Sequence, residues 1–163
     1  MKIEIKPAYE ERETIINLFT EYTEMLYEVR SDIGDYLDLQ NYHHELEHLE
    51  EKYGHPDGRL YIAYADNNAA GCIGLRKLNE TECEMKRLFI RPEYRNLGIA
   101  HQLAEKIINE ARQIGYQSML LDSLPELIPA LKFYEKLGFY RIPAYNDSPV
   151  TNTVFMKIDL FRP

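Results

Sequence analysis

The stretch from Glu82 to Ala111, ECEMKRLFIRPEYRNLGIAHQLAEKIINEA, constrains the fold more than any other part of the chain. Its first nine residues, Glu82 to Ile90, are rich in strand formers, and a polar turn containing Gly98 follows them. Beyond the turn, Ile99, Leu103, Ala104, Ile107, Ile108 and Ala111 fall on one helical stripe. A strand that runs through a glycine turn into an amphipathic helix needs a sheet on which the helix can bury that stripe, so the chain belongs to a mixed α/β class. The turn also leaves unpaired backbone N–H groups at the positive end of the helix, which makes it an anion site. It lacks the Gly-Lys-Ser/Thr of a Walker loop, and Gly98 stands without the further glycines of a dinucleotide fingerprint. Phosphate or pyrophosphate is the ligand that the backbone alone suggests.

The remaining elements follow from hydrophobic period and turn residues. Lys2 to Lys6 alternates as a strand. Thr14 to about Val29 carries Ile15, Leu18, Phe19, Tyr22, Met25, Leu26 and Val29 at helical spacing. The polar SDIGDYLD reads as a connection into a second helix, about Leu39 to Tyr53, which Gly54 and Pro56 stop. Strands at 60–65 and 70–78 flank the turn Asp66-Asn67-Asn68 and form a hairpin. After the helix that Gly115 ends come a buried strand, SMLLD (118–122), and a helix entered through Pro125 or Pro129 and closed by Gly138. Strands at 139–142 and 153–160 complete the order. At 163 residues, with no repeat or linker, this is one domain spanning 1–163: a central mixed, mostly antiparallel twisted sheet flanked by about four helices.

Composition excludes several classes. The net charge of −8 opposes a phosphate backbone, so nucleic acid is not an expected partner. The N-terminus MKIEIKPAYEE lacks the apolar core of a signal peptide, and no stretch approaches a membrane span, so the expected location is the cytoplasm, away from membranes. Cys72 and Cys83 are too few for a disulfide framework and read as buried thiols.

Residues 44–48, HELEH, have the His-Glu-x-x-His spacing of zinc peptidases. At about 100° per residue, however, Leu39, Tyr42, Leu46, Leu49 and Tyr53 define the buried face of the second helix. His44 and His48 then lie roughly 130° to 170° away from it. A catalytic zinc needs a third ligand and a shaped cleft, which a solvated helix face does not supply. With Glu45, Glu47, Glu50 and Glu51 the segment reads as an acidic surface, and no metal is expected beyond adventitious binding at His44 and His48.

RLFIRPEYRNLGIAHQLAEKIINEARQIGY resembles the cofactor-binding segment of the GCN5-related N-acetyltransferase (GNAT) superfamily. Arg95 to Ala100, RNLGIA, matches its Gln/Arg-x-x-Gly-x-Gly/Ala signature, and LKFYEKLGFYRIPAY looks like its next helix and strand. The resemblance implies a GNAT-like fold over essentially the whole chain and acetyl-coenzyme A as donor to a primary amine, attacked directly in a ternary complex. It implies that backbone N–H groups of Arg95, Asn96, Leu97, Gly98, Ile99 and Ala100 hold the pyrophosphate. Leu88, Phe89 and Ile90 would pair with the pantetheine arm, and one of their N–H groups would serve the oxyanion. Tyr134 stands at the tyrosine position that protonates the thiolate, in place of a simple core aromatic. Glu84, sharing a strand face with Leu88 by alternation, and Asp122 are alternative general bases, and a water chain is a third. Many relatives carry asparagine seven residues before the tyrosine; Leu127 stands there, so that hydrogen bond to the cofactor is either lost or supplied from elsewhere, with Ser123 the candidate.

Glu24, Glu28, Asp32, Asp35 and Asp38 either line an acceptor wall that favours cationic amines or form a solvated face. Tyr27, Tyr36, Tyr145 and Asp147 are further candidates for the acceptor pocket. The acceptor itself, a small molecule or a peptide, is not fixed by the fold. A non-catalytic acyl-coenzyme A binding module is the alternative to an enzyme, and the β-rich C-terminal half leaves room for a homodimer.

Overall fold

The computed structural model describes residues 1–161. Strand β1 (Ile3–Pro7) leads into helix α1 (Arg12–Val29), followed by short helices α2 (Gly34–Leu39), α3 (Tyr42–Glu47) and α4 (Leu49–Tyr53). Strands β2 (Arg59–Ala65), β3 (Asn68–Lys77) and β4 (Glu82–Ile90) come next, then a 3₁₀ turn at Pro92–Tyr94 and helix α5 (Ile99–Ile114). Strand β5 (Ser118–Ser123), helix α6 (Ile128–Leu137), β6 (Tyr140–Ile142) and β7 (Val154–Asp159) complete the chain. The seven strands form one sheet in the order β1-β2-β3-β4-β5-β7-β6. Every neighbouring pair is antiparallel except β4 and β5, which are parallel. The mixed, mostly antiparallel sheet expected from the sequence is thus present. Among the described residues, no helix is long and apolar enough to cross a membrane.

Each face of the sheet carries a core. On one, the predicted stripe of α5 from Ile99 to Ala111 is buried throughout, against Ile73, Leu75, Met119 and Leu121. On the other, α1 buries Ile15, Leu18, Phe19 and Leu26 together with Tyr36, Tyr53, Ile62 and Phe89. The β2–β3 hairpin closes with Asp66 and Asn67 both at positive φ (47° and 70°) between the paired Ala65 and Asn68. That is the primed two-residue turn whose twist matches the strands.

The second predicted helix is where the structure departs most. Instead of one helix over 39–53 there are two, α3 and α4, preceded by α2 over 34–39, so six α-helices flank the described sheet rather than about four. The polar connection SDIGDYLD is itself partly helical, with Ile33, Tyr36 and Leu37 buried, while Leu39, expected in the core, is 48% exposed. Asn41 in the left-handed region (φ 55°) separates α2 from α3, and His48 (φ −134°, ψ 58°) separates α3 from α4. In an unbroken helix Glu45 would lie roughly 75° off the apolar stripe. The breaks turn Tyr42, Glu45, Leu49 and Tyr53 inward together. Glu45 is therefore a buried ion-pair residue and not part of the acidic surface.

His44 and His48 are exposed, as their orientation on the helix suggested, and their rings stack with centroids 4.1 Å apart. His44 Nε2 lies 2.5 Å from Glu51 Oε2. The glutamate of the His-Glu-x-x-His spacing does not join them: its carboxylate is held by Arg87, Lys52 and Tyr53 in the interior. A peptidase arrangement of these three residues is therefore absent.

Candidate active site

Strands β4 and β5 pair only from Glu82 to Glu84 against Ser118 to Leu120. Beyond that they part, although β4 still pairs with β3 to Ile90 and β5 with β7 to Ser123. A bulge accompanies the divergence. Cys72 pairs with Phe89 and Gly74 with Lys86, so Arg87 and Leu88 together face Ile73. Arg87 sits at φ 59°, and such a bulge bends its strand and increases local twist. The inserted residue also cancels the alternation that placed Glu84 and Leu88 on one face: Leu88 packs on the α5 side, while Glu84 points the other way, toward Tyr145.

The gap between the strands is a cleft of about 460 Å³. Leu88, Phe89 and Ile90 form one wall, and Asp122, Ser123 and Leu127 the other. Tyr22 and Met25 of α1 close it on one side, and Ala130, Phe133 and Tyr134 of α6 on the other. Its mouth is built by Tyr94, Arg95, Asn96, Gly98, Ile99 and Ala100, with His101. Past Glu84, the β4 edge that would face β5 has no strand partner, so main-chain groups are presented to this space.

The mouth is shaped by two left-handed residues, Asn96 (φ 63°) and Gly98 (φ 80°). Arg95 anchors the turn by donating Nε to the Ile90 carbonyl at 3.1 Å. Gly98 caps α5 with no side-chain hydrogen bond, and the first turn of α5 holds no acidic residue. Its N-terminal N–H groups are therefore uncompensated, in a left-handed turn of the kind that binds anions. A Cβ on Gly98 would meet nothing within 4 Å, so conformation and not crowding calls for glycine here.

Tyr134 lines the cleft and packs edge-on against Phe139. Burial, with smaller contributions from Tyr22 and Asp122, pushes its phenol well above the ordinary range and keeps it protonated. Asp122 is fixed at both oxygens: the Tyr36 hydroxyl donates to Oδ1 at 2.5 Å and Asn146 Nδ2 to Oδ2 at 2.8 Å. Glu84 does not line the cleft. It is 2% exposed, accepting from Arg76 Nε at 2.7 Å and from the Tyr145 hydroxyl at 2.5 Å. Burial alone would raise its pKa, but Lys86, Arg76 and the Tyr145 bond together outweigh that and lower it.

The structure thus brings together Leu88, Phe89, Ile90, Arg95, Asn96, Gly98, Ile99, Ala100, Asp122, Ser123 and Tyr134. Two expected members stand apart. Glu84 is sealed behind Arg76 and Tyr145, and the Leu97 side chain is 48% exposed and off the cleft lining. Of the further candidates, Tyr36 holds Asp122 and Tyr145 holds Glu84, whereas Tyr27 and Asp147 are exposed and do not line the cleft. Glu24, Glu28, Asp32, Asp35 and Asp38 are all exposed and off the lining, so they form a solvated face. Sequence reasoning missed Asn146 at Asp122, and Lys86 and Arg87, read only as strand residues. Their signal was two adjacent cations in a strand destined for burial on both faces.

A family model described as the acetyltransferase (GNAT) family matches residues 15–139. An uncharacterized N-acetyltransferase of Schizosaccharomyces pombe is 34% identical over 140 residues, covering 85% of this chain and 86% of that protein. Among solved structures, a GNAT-family acetyltransferase of Staphylococcus aureus superposes with a TM-score of 0.79 at 24% identity, covering 98% of this chain and 100% of the other. The PaiA N-acetyltransferase of Thermoplasma acidophilum, solved in complex with coenzyme A, gives 0.74 at 22% identity, with 98% and 99% covered. Both structures share the fold described above.

Proposed function

This chain belongs to the GNAT family of acetyltransferases, and from that membership and its cleft we propose that it transfers the acetyl group of acetyl-coenzyme A to a primary amine by direct attack in a ternary complex. The observation that carries this reading is the open edge of β4 running into the uncapped start of α5. A diphosphate is the anion that the N–H groups from Arg95 to Ala100 suit, with Leu97 contributing main chain only. The amide-bearing pantetheine arm fits the open main chain at Leu88 to Ile90 as an added strand. Leu127 and Phe133 offer it apolar contact, and Ser123 the hydroxyl that replaces the missing asparagine.

The donor supplies a thioester carbonyl. Asp122, oriented by Tyr36 and Asn146, takes the proton of the incoming ammonium, directly or through a water. A main-chain N–H in the stretch Leu88 to Ile90 stabilises the oxyanion as the N–C bond forms. Tyr134, held protonated by burial, gives its proton to sulfur as the C–S bond breaks. Glu84 acts from behind the wall by fixing Arg76 and Tyr145, and not as the base.

The test is release of free thiol from acetyl-coenzyme A with a panel of amines, for the wild type and for Tyr134→Phe. Turnover with at least one amine is expected, with kcat reduced on the order of 100-fold or more in the variant while coenzyme A affinity is kept. Tight coenzyme A binding without turnover on any amine would instead identify a non-catalytic acyl-coenzyme A binding module.

A further inference from the structure

Beside Asp122 and Tyr134, residues that also line the main cleft, lies a small side cavity of about 20 Å³ bordered by Tyr36, Gln40, Lys86 and Arg87. It has room for one water-sized group. Lys86 reaches it with a side chain only 7% exposed. Its nearest carboxylate oxygen, Glu84 Oε1, is 3.8 Å from Nζ, and that carboxylate already accepts from Arg76 and Tyr145. Among the described residues, Lys86 Nζ has no hydrogen-bond acceptor.

Its cationic neighbours are satisfied. Arg87 donates to Glu45 twice and to Gln40, and Lys52 donates to Glu45. Four cations (Lys52, Arg76, Lys86 and Arg87, of which Arg76 is partly exposed) surround three carboxylates (Glu45, Glu84, Asp122), which leaves one positive charge in excess. The excess falls on the one ammonium without an acceptor. A buried ammonium that shares its one nearby carboxylate with Arg76 and Tyr145 and has no hydrogen-bond acceptor is unfavourable unless a further anion reaches it.

We propose that Lys86 binds a carboxylate of the acceptor, and that the acceptor is accordingly an amino acid or a similar small amino-carboxylate. Its ammonium meets Asp122 and its carboxylate meets Lys86, an arrangement that rests on the transferase reading above. One carboxylate oxygen fills the side cavity, while the rest of the acceptor lies in the main cleft. Diamines and polyamines would bring a second cation against Lys86 and are selected against. The exposed acids of α1 and α2 lie off the cleft and do not reverse this preference.

The experiment compares each proteinogenic L-amino acid with its C-terminal amide, and with putrescine and agmatine, on the coenzyme A-loaded protein by calorimetry and with acetyl-coenzyme A by turnover. At least one free acid should surpass its amide by about 10- to 100-fold, the range that one hydrogen bond to a charged group spans. Lys86→Met should erase that difference by raising KM for the acid, with the amide's KM and the coenzyme A affinity unchanged. Equal acid and amide, preference for a diamine, or no binding of any amino acid overturns the proposal. If acids bind in a Lys86-dependent way without turnover, the transferase reading fails while carboxylate recognition stands. The wild-type acid-to-amide ratio decides the matter even if the variant does not fold.

Discussion

Arg87 grips Glu45 through two parallel bonds, Nε to Oε2 at 2.9 Å and Nη2 to Oε1 at 2.8 Å, with both side chains buried. The pair joins the bulge of β4 to α3 across 42 residues of chain. Tyr53 donates to Oε2 at 2.8 Å and Lys52 to Oε1 at 2.5 Å, so the carboxylate is saturated. Arg87 makes these contacts from a left-handed backbone, a conformation unfavourable by about 1–2 kcal/mol for a residue with a Cβ. The ion pair thus holds the bulge that opens the cleft.

Removing one partner leaves the other charged and buried. Arg87→Met or Glu45→Leu alone is expected to destabilise the fold by about 3–5 kcal/mol in urea unfolding, whereas the double variant should lose clearly less than the sum. Additive losses would mean that the two side chains are held independently.

Acid should expose the same group. Burial by itself raises the Glu45 pKa, yet Arg87 and Lys52 together bring it down to about 2. Its ordinary value is 4.5, so the group takes up protons more readily unfolded than folded. Its contribution is fully present above pH 4.5 and is lost as pH falls toward 2. The total is on the order of 3 kcal/mol. Unfolding free energy measured between pH 2 and 5 should therefore rise more steeply in the wild type than in Glu45→Gln.

Gly98 and Gly115 offer a matched comparison. Both sit in the left-handed region, at φ 80° and 109°, and a Cβ on either meets nothing within 4 Å. Alanine at either position is expected to lower stability by about 1 kcal/mol. Only Gly98→Ala should also weaken coenzyme A binding, on the order of tenfold, because only Gly98 shapes the mouth of the cleft. Equal affinity in the two variants would remove the α5 turn from donor binding.

The strand–turn–helix from Glu82 to Ala111 was legible because its signal is local: an apolar stripe is buried by any sheet beside it, and a glycine at a helix start has few alternatives. Residues 31–53 were not, because their breaks at Asn41 and His48 answer to Arg87, a partner far along the chain that periodicity does not see. The side of the cleft proposed for the donor comes mostly from one segment, Leu88 to Ala100, so its lining was legible there. The side proposed for the acceptor draws on α1, α2, β4, β5 and the loop at Asn146. A single inserted residue at Arg87 was enough to turn Glu84 away from Leu88, and no alternation rule anticipates a bulge.

That bulge sets up the sharpest contrast between two carboxylates. Asp122 lines the cleft with both oxygens oriented by neutral donors, while Glu84 is shut behind Arg76 and Tyr145. Asp122→Asn keeps the size of the side chain and removes its basicity, so kcat should fall on the order of 100-fold or more with little change in stability. Glu84→Gln leaves Arg76 and Lys86 without their anion, and should lower stability by about 1–3 kcal/mol while kcat changes less than tenfold. Steady-state kinetics and thermal unfolding on the same two variants separate the roles. Should Glu84→Gln be the one that abolishes turnover in a stable protein, the proton must leave through Tyr145 and Glu84, and Asp122 is then only a positioning group.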